Sequence, residues 1–287
     1  VKYAFVDTHR TCWRVERLCA ALSVSRSGYY AWRTRPESPR AQENRRVLTQ
    51  IRVIHADARE AYGAVKTWRV LRAQGVACGR HRVARLRRAH GIEARRMRRF
   101  RLAYQARNSD PPAPNRVARQ FQAPAPNRIW AGDITFIPTR RGWLYLAVVL
   151  DLYSRRVVGW AMSERRDGQL ALDALTMALA HRRPAPGLIH HSDQGIQYTS
   201  GVYQARLKAT GLVPSMSRKG NCYDNAVVES FFSTVKNEGT CHQTFPDRDC
   251  ARAALFDYIE LFYNRQRAHA TLDYQSPDAY ERRGACA

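Results

Sequence analysis

The chain has 287 residues, 45% of them hydrophobic. That length corresponds to about two domains, and the apolar content suffices for a core, which excludes wholesale disorder. The 48 Lys+Arg outnumber the 24 Asp+Glu to leave a net charge of +24. The longest apolar run, residues 144–150, is too short to cross a bilayer, and an odd set of seven cysteines with no C-x-x-C pair argues against a disulfide framework or a zinc cluster.

The chain opens on Val1 rather than Met, an opening compatible with a non-standard start or with a longer product. No charged start followed by an apolar stretch marks a secretory signal, so a reducing cytoplasm is the expected compartment. Residues 1–125 hold 28 Lys+Arg against 8 Asp+Glu, and arginine supplies 43 of the 48 cations. Such a front half repels itself without a polyanion, and arginine is the better fork for phosphate. Nucleic acid is the expected partner. An acidic membrane surface is the competing reading, but no long basic helix with aromatic anchors supports it.

Residues 12–33 read as helix, turn, helix, with Val15, Leu18, Cys19 and Leu22 at helical spacing before a break at 23–27. An amphipathic helix is predicted over 41–58 from Val47, Leu48, Ile51 and Ile54. A second helix-turn-helix pattern places Val65, Trp68, Val70 and Leu71 before a turn at 75–79, and Val83 and Leu86 after it. The second of these helices carries Arg80, Arg82, Arg85, Arg87 and Arg88 as a groove-facing set. A plain hairpin with a solvated basic face would give the same pattern. Five arginines between 95 and 101, namely Arg95, Arg96, Arg98, Arg99 and Arg101, read as a phosphate-tracking segment that runs into a Pro- and Asn-rich linker.

From Ile129 the period changes to two. Three strands, at 129–137, 144–150 and 156–162, form an antiparallel meander. A helix is predicted at 168–182, a strand at 188–191, a helix at 199–210, a strand at 212–216 and a helix at about 224–238. The result is a mixed sheet with helices on its faces.

Asp133 sits within the first strand, where a charge is costly unless paired or bound to a cation. Asp193 follows a strand at its carboxyl end, where α/β sheets place their sites. Glu229 lies on the last of these helices, and Asn225, Glu229 and Lys236 fall along one flank of its core stripe. The 35 residues between Asp193 and Glu229 decide nothing alone. Composition predicts about half a chance pair at that spacing, whereas the chain has four: Asp7/Glu43, Asp57/Glu93, Asp193/Glu229 and Asp224/Glu260. Only Asp193/Glu229 joins a strand end to a core-flanking helix. Three such carboxylates suit Mg²⁺ or Mn²⁺ and phosphodiester displacement, and salt-bridged structural carboxylates are the alternative. Asp151 reads as a turn residue, Asp224 as a helix-start residue, and His190 and His191 as supporting groups near Asp193. For Arg267 and His269, DNA contact and packing of the C-terminal helix are equally open.

Three stretches carry a resemblance: Trp130-Ala131-Gly132-Asp133-Ile134-Thr135, His191-Ser192-Asp193-Gln194-Gly195-Ile196-Gln197-Tyr198, and residues 220–232 with Asn225 and Glu229. Together with the tail Tyr263-Asn264-Arg265-Gln266-Arg267-Ala268-His269 and the opening Ser25-Arg26-Ser27-Gly28-Tyr29-Tyr30-Ala31-Trp32, they resemble the OrfB transposases of the insertion-sequence-three family over nearly the whole chain. The resemblance implies an RNase H-like, integrase-like catalytic core with a D,D,E triad at Asp133, Asp193 and Glu229 holding two Mg²⁺ or Mn²⁺ ions, and Lys236 as a contact to the element end. It implies helix-turn-helix-type DNA-binding segments ahead of that core, binding of terminal inverted repeats and target DNA, multimerisation on DNA and a copy-out route through a joined-end circle. It also implies an OrfA partner or frameshift fusion, with which the absence of a leucine-zipper heptad agrees. The expected organisation is a helix-turn-helix-like segment at 1–40, a second helical DNA-binding domain at 41–100, an Arg/Pro-rich linker at 101–125, and the catalytic core with a helical tail at 126–287.

Overall fold

The computed structural model describes residues 1–95, 112–218, 222–240 and 244–285. Two compact units divide the chain, residues 1–50 and 51–287. In the first, α1 (Lys2–His9), α2 (Val15–Ala21) and α3 (Arg26–Thr34) surround a small core of Val6, Cys19 and Tyr29. Ser25 caps α3 by accepting from the Gly28 amide at 3.1 Å. The Tyr29 hydroxyl, beneath the helices, donates to Asp7 at 2.8 Å.

Helix α4 (Pro39–Asp57) starts with Ser38 accepting from the Ala41 amide and with proline at its first position, where a missing N–H costs nothing. In the second unit α5 (Ala64–Ala73) packs on α6 (Arg80–Ala89) across a turn with Gly75 at φ +80. The two helices are joined from inside. Arg87 is buried and donates to Thr67 Oγ1 at 3.1 Å and to the Tyr62 carbonyl at 2.9 Å. Arg87 was expected to face a DNA groove. It serves instead as a core cross-link, because two neutral oxygens satisfy it there.

A five-stranded sheet follows. Its strands are β1 (Ile129–Thr139), β2 (Gly142–Asp151), β3 (Val157–Ser163), β4 (Ile189–Ser192) and β5 (Val213–Met216), in the order β3-β2-β1-β4-β5. β2 alone runs against its neighbours, and β1, β4 and β5 are parallel. This is the RNase H-like arrangement. Period-two alternation assigns the faces: Leu144, Leu146, Val148 and Leu150 go to one core, Ala147 and Val149 to the other.

Helix α7 (Gly168–Arg182), capped by Asp167, covers the second face, together with the single turn α8 (Ile196–Thr199) and α9 (Gly201–Ala209). The approach of α7 to β3 is close. A Cβ on Gly159 would stand 2.3 Å from the Ala174 carbonyl oxygen and 2.6 Å from the Ala178 nitrogen. The first face is covered by α10 (Ala226–Thr234) and α11 (Arg248–Phe256), which continue into π-helical turns at Val235–Thr240 and Asp257–Tyr263. The chain closes with α12 (Pro277–Ala285). Phe231 meets Tyr263 edge-on at 4.8 Å between ring centres, and burial of such a side chain contributes about 1.5–3 kcal/mol.

The segment expected to be an extended linker is tied to the sheet where it is described. Asn115 donates to Asp224, the Arg116 amide donates to Ser215 Oγ, and Val117 is buried. No helix among the described residues is long and apolar enough to cross a membrane.

Candidate active site

The site forms where β1 and β4 part. Their parallel pairing ends at Ala131↔His191. Two residues past the last pair stand Asp133, still within β1, and Asp193, just after β4. The crevice at the carboxyl end of a parallel strand pair is where such sheets leave room for a ligand. Asp133 Oδ1 accepts from the Ile134 amide at 2.7 Å, and Asp193 Oδ1 accepts from the Gly195 amide at 2.9 Å. The third element arrives from α10. Asn225, the residue before it, donates from Nδ2 to Asp133 Oδ2 at 3.2 Å. Glu229 lies one turn later and is exposed.

Burial pushes the Asp133 carboxyl up to about 8, helped by the negative charge of Asp193 and, less strongly, by that of Glu229. Burial raises Asp193 as well. The three carboxylates therefore act on one another, but among the described residues no three acidic, histidine or cysteine side chains are gathered closely enough to hold a metal ion. Convergence into one closed cradle, expected from the sequence, is thus present as electrostatic proximity and not as a ligand shell. The donor set still fits a hard divalent cation. It is all oxygen, it is crowded with like charge, and the buried Asn225 Oδ1 beside it has no hydrogen-bond partner among the described residues. Lys236, at the start of the π-helical turn, is half-buried over the Phe136 ring at 4.5 Å. Burial lowers its pKa, and the charge of Asp133 opposes that shift.

The groups behind the crevice are structural. His191 Nε2 faces the Asp224 carbonyl at 2.9 Å, so it carries the proton, and Nδ1 accepts from Ser215 Oγ at 2.9 Å. His190 Nε2 pairs with the Tyr203 hydroxyl at 3.1 Å, and burial lowers its pKa to about 4. Asp151 caps the β2–β3 turn, accepting from the Asn127 and Tyr153 amides. Asp224 accepts from Asn115, Arg119 and Arg218, and its hydrogen bond from Arg218 is the main reason its carboxyl lies far below the usual range.

The integrase core domain family matches residues 123–222, a second integrase core domain family matches 210–277, and an HTH-like domain matches 42–100. The chain is 44% identical over 263 residues to the insertion element IS600 uncharacterized 31 kDa protein of Shigella sonnei, covering 92% of this chain and 97% of that one. It is 42% identical over 284 residues to the transposase InsF for insertion sequence IS3A of Escherichia coli strain K12, covering 98% of each. The chain belongs to the IS3-family transposases. Among solved structures it is similar to the HTLV-2 integrase catalytic core domain in complex with magnesium, at 17% identity and a TM-score of 0.44, covering 56% of this chain and 99% of that one.

The residues expected to touch DNA are dispersed in this transposase. Arg80 and Arg85 are exposed on α6, and Arg82 is half-buried there. Arg95 is exposed and ion-paired to Glu60. Arg96, Arg98, Arg99 and Arg101 lie outside the described residues. Arg267, read as a possible DNA grip, is buried in a two-pronged ion pair with Glu238, at 2.6 and 2.8 Å. His269 lies against Arg267 at 3.2 Å, and burial, with the charges of Arg267, Lys66 and Arg155, lowers its pKa to about 2. Both side chains are thus packed and paired within the chain. Two groups near the carboxylates had no signal in the sequence. Arg166, on the β3–α7 loop, favours the ionised forms of Asp133 and Asp193, and Gln197 lies beside Gly195 with Nε2 buried and without a partner among the described residues.

Proposed function

We propose that the chain cuts and joins DNA strands with Asp133, Asp193 and Glu229 as its catalytic triad. The observation that carries this reading is that Asp133 and Asp193 follow the last paired residues of β1 and β4 and act on one another's charge, with Asn225 tying the helix of Glu229 to Asp133. The triad would hold two Mg²⁺ or Mn²⁺ ions. When bound, those ions supply Lewis acidity to phosphodiester oxygens and offset the mutual repulsion of the carboxylates.

Two displacements follow. In the first, water attacks the phosphorus at the element end, the water proton leaves to solvent, and the P–O3′ bond breaks to release a 3′-hydroxyl. In the second, that hydroxyl attacks another phosphodiester and a new 3′-hydroxyl departs, so one bond forms for each one broken. Lys236 and Arg166 bring positive charge to the phosphate and orient the strand. The HTH-like segment, with Arg80, Arg82 and Arg85, and the segment of Arg95, Arg96, Arg98 and Arg99 bind the terminal inverted repeats and target DNA through phosphate neutralisation. An OrfA partner, or a fusion with it, and assembly of several copies on DNA complete the machine, in a bacterial cytoplasm and at the nucleoid when bound.

The test is to incubate the purified chain, with and without OrfA, with labelled element ends and Mn²⁺, and to map the cuts. Asp133→Asn is expected to abolish nicking and leave binding intact. Equal nicking by that variant overturns the triad. Cutting without any joined product would identify a nuclease, and binding without cutting a regulator.

A further inference from the structure

A cavity of about 330 Å³ lies on the far flank of α10 from the carboxylates. Lys66 of α5, Arg155 of the β2–β3 turn, Arg267 and His269 line it. Glu238 neutralises Arg267, and burial disfavours the charged form of His269, so Lys66, which lies over the Tyr62 ring at 4.9 Å and feels Glu238, and Arg155, which feels Asp151, are the remaining cations of the wall. Arg155 gives one guanidinium nitrogen to the Phe121 carbonyl at 3.0 Å, while its buried Nη1 has no partner among the described residues. The backbone of Arg155 is held at φ +62, a costly setting for a side-chain-bearing residue and one that clusters at ligand-binding positions. Burial lowers Lys66 to about 8, with the Arg267 charge acting in the same direction. A buried donor and a crowded ammonium thus share one wall, where an anion would give the donor an acceptor and favour the charged ammonium.

The remaining walls narrow the choice of anion. Leu150, Val227 and Phe231 give an apolar floor, and Ser230 and Thr271 add hydroxyls. The space exceeds what an inorganic ion needs and falls at the small end of ligand pockets, about 300–1,000 Å³. Ser230 is also the residue after Glu229, so the wall of the cavity starts beside the proposed catalytic helix position.

We propose that this cavity seats one nucleotide unit of a DNA strand, its phosphate between Lys66 and Arg155 and its sugar on the apolar floor, as an anchor separate from the carboxylate crevice. The assignment of the strand as DNA rests on the function proposed above.

Amine-reactive footprinting of the full chain in metal-free buffer tests it, since the chain has only five lysines, Lys2, Lys66, Lys208, Lys219 and Lys236. The probes are an element-end duplex and, separately, inorganic phosphate. The duplex is expected to protect Lys66 severalfold, and Arg155→Gln to remove that protection while Lys236 stays protected. An unprotected Lys66 beside a protected Lys236 overturns the anchor and leaves the function standing. If neither lysine is protected, both readings fall. Protection by inorganic phosphate without protection by the duplex overturns the strand assignment. Should Arg155→Gln fail to fold, Lys66→Gln serves: its log–log salt slope for duplex binding is expected to shrink by about 0.9, the value for one lost phosphate contact, and an unchanged slope overturns the anchor.

Discussion

Asn225 reaches from the foot of α10 to Asp133 on β1, its Nδ2 donating to Oδ2 at 3.2 Å. That bond sets where Glu229, one turn along the same helix, stands relative to the aspartates. Asn225→Ala is expected to raise the Mn²⁺ concentration needed for half-maximal nicking while DNA affinity stays unchanged. A metal titration of end nicking checks it, and an unaltered titration curve would mean the bond is incidental.

The raised carboxyl of Asp133 links folding to pH. Asp133 stays protonated in the folded chain up to about 8, whereas the unfolded chain releases that proton near 4. The folded state thus binds the extra proton across this window, and stability falls as pH rises through it. Without metal, the melting temperature of the wild type relative to Asp133→Asn should decline from pH 5 to pH 8, and added Mg²⁺ should restore it. Parallel melting curves for the two proteins would refute this.

The Arg267–Glu238 pair has side chains only 9% exposed. Removing one partner leaves the other charge buried, a loss of about 3–5 kcal/mol. Arg267→Met is expected to lower the unfolding free energy in urea by that amount, and the double variant with Glu238→Met to recover part of it. Equilibrium unfolding of the three proteins measures the coupling.

Gly159 allows α7 to lie directly on β3, its missing Cβ facing the Ala174 carbonyl at 2.3 Å. Both atoms it would meet first are backbone, so no side chain can swing aside. Gly159→Ala is expected to destabilise the core by about 1–3 kcal/mol or more, read as a lower melting temperature with DNA binding by the HTH-like segment retained.

The sheet was legible because its strands alternate cleanly: Leu144, Leu146, Val148 and Leu150 on one face against Ala147 and Val149 on the other. The crevice was legible through Asp133 in mid-strand and Asp193 just past a strand end. The single helix expected over about 224–238 is instead α10 followed by a π-helical turn, a single-turn insertion too short to show a period of its own in the sequence. The helix expected over 199–210 is interrupted at Ser200. Arg87 and Arg267 looked like surface cations because their partners, Tyr62 and Glu238, lie 25 and 29 residues away. Proline and asparagine suggested a loose connector, and nothing local to Arg119 shows an acceptor 105 residues on.

The described part of that connector is pinned beside the crevice. Asn115 and Arg119 grip Asp224, and Asp224 is the immediate neighbour of Asn225. The connector is therefore fastened one peptide bond from Asn225, whose side chain ties the start of α10 to Asp133, so the backbone at 224–225 is shared by the clasp on the connector and the bond into the crevice.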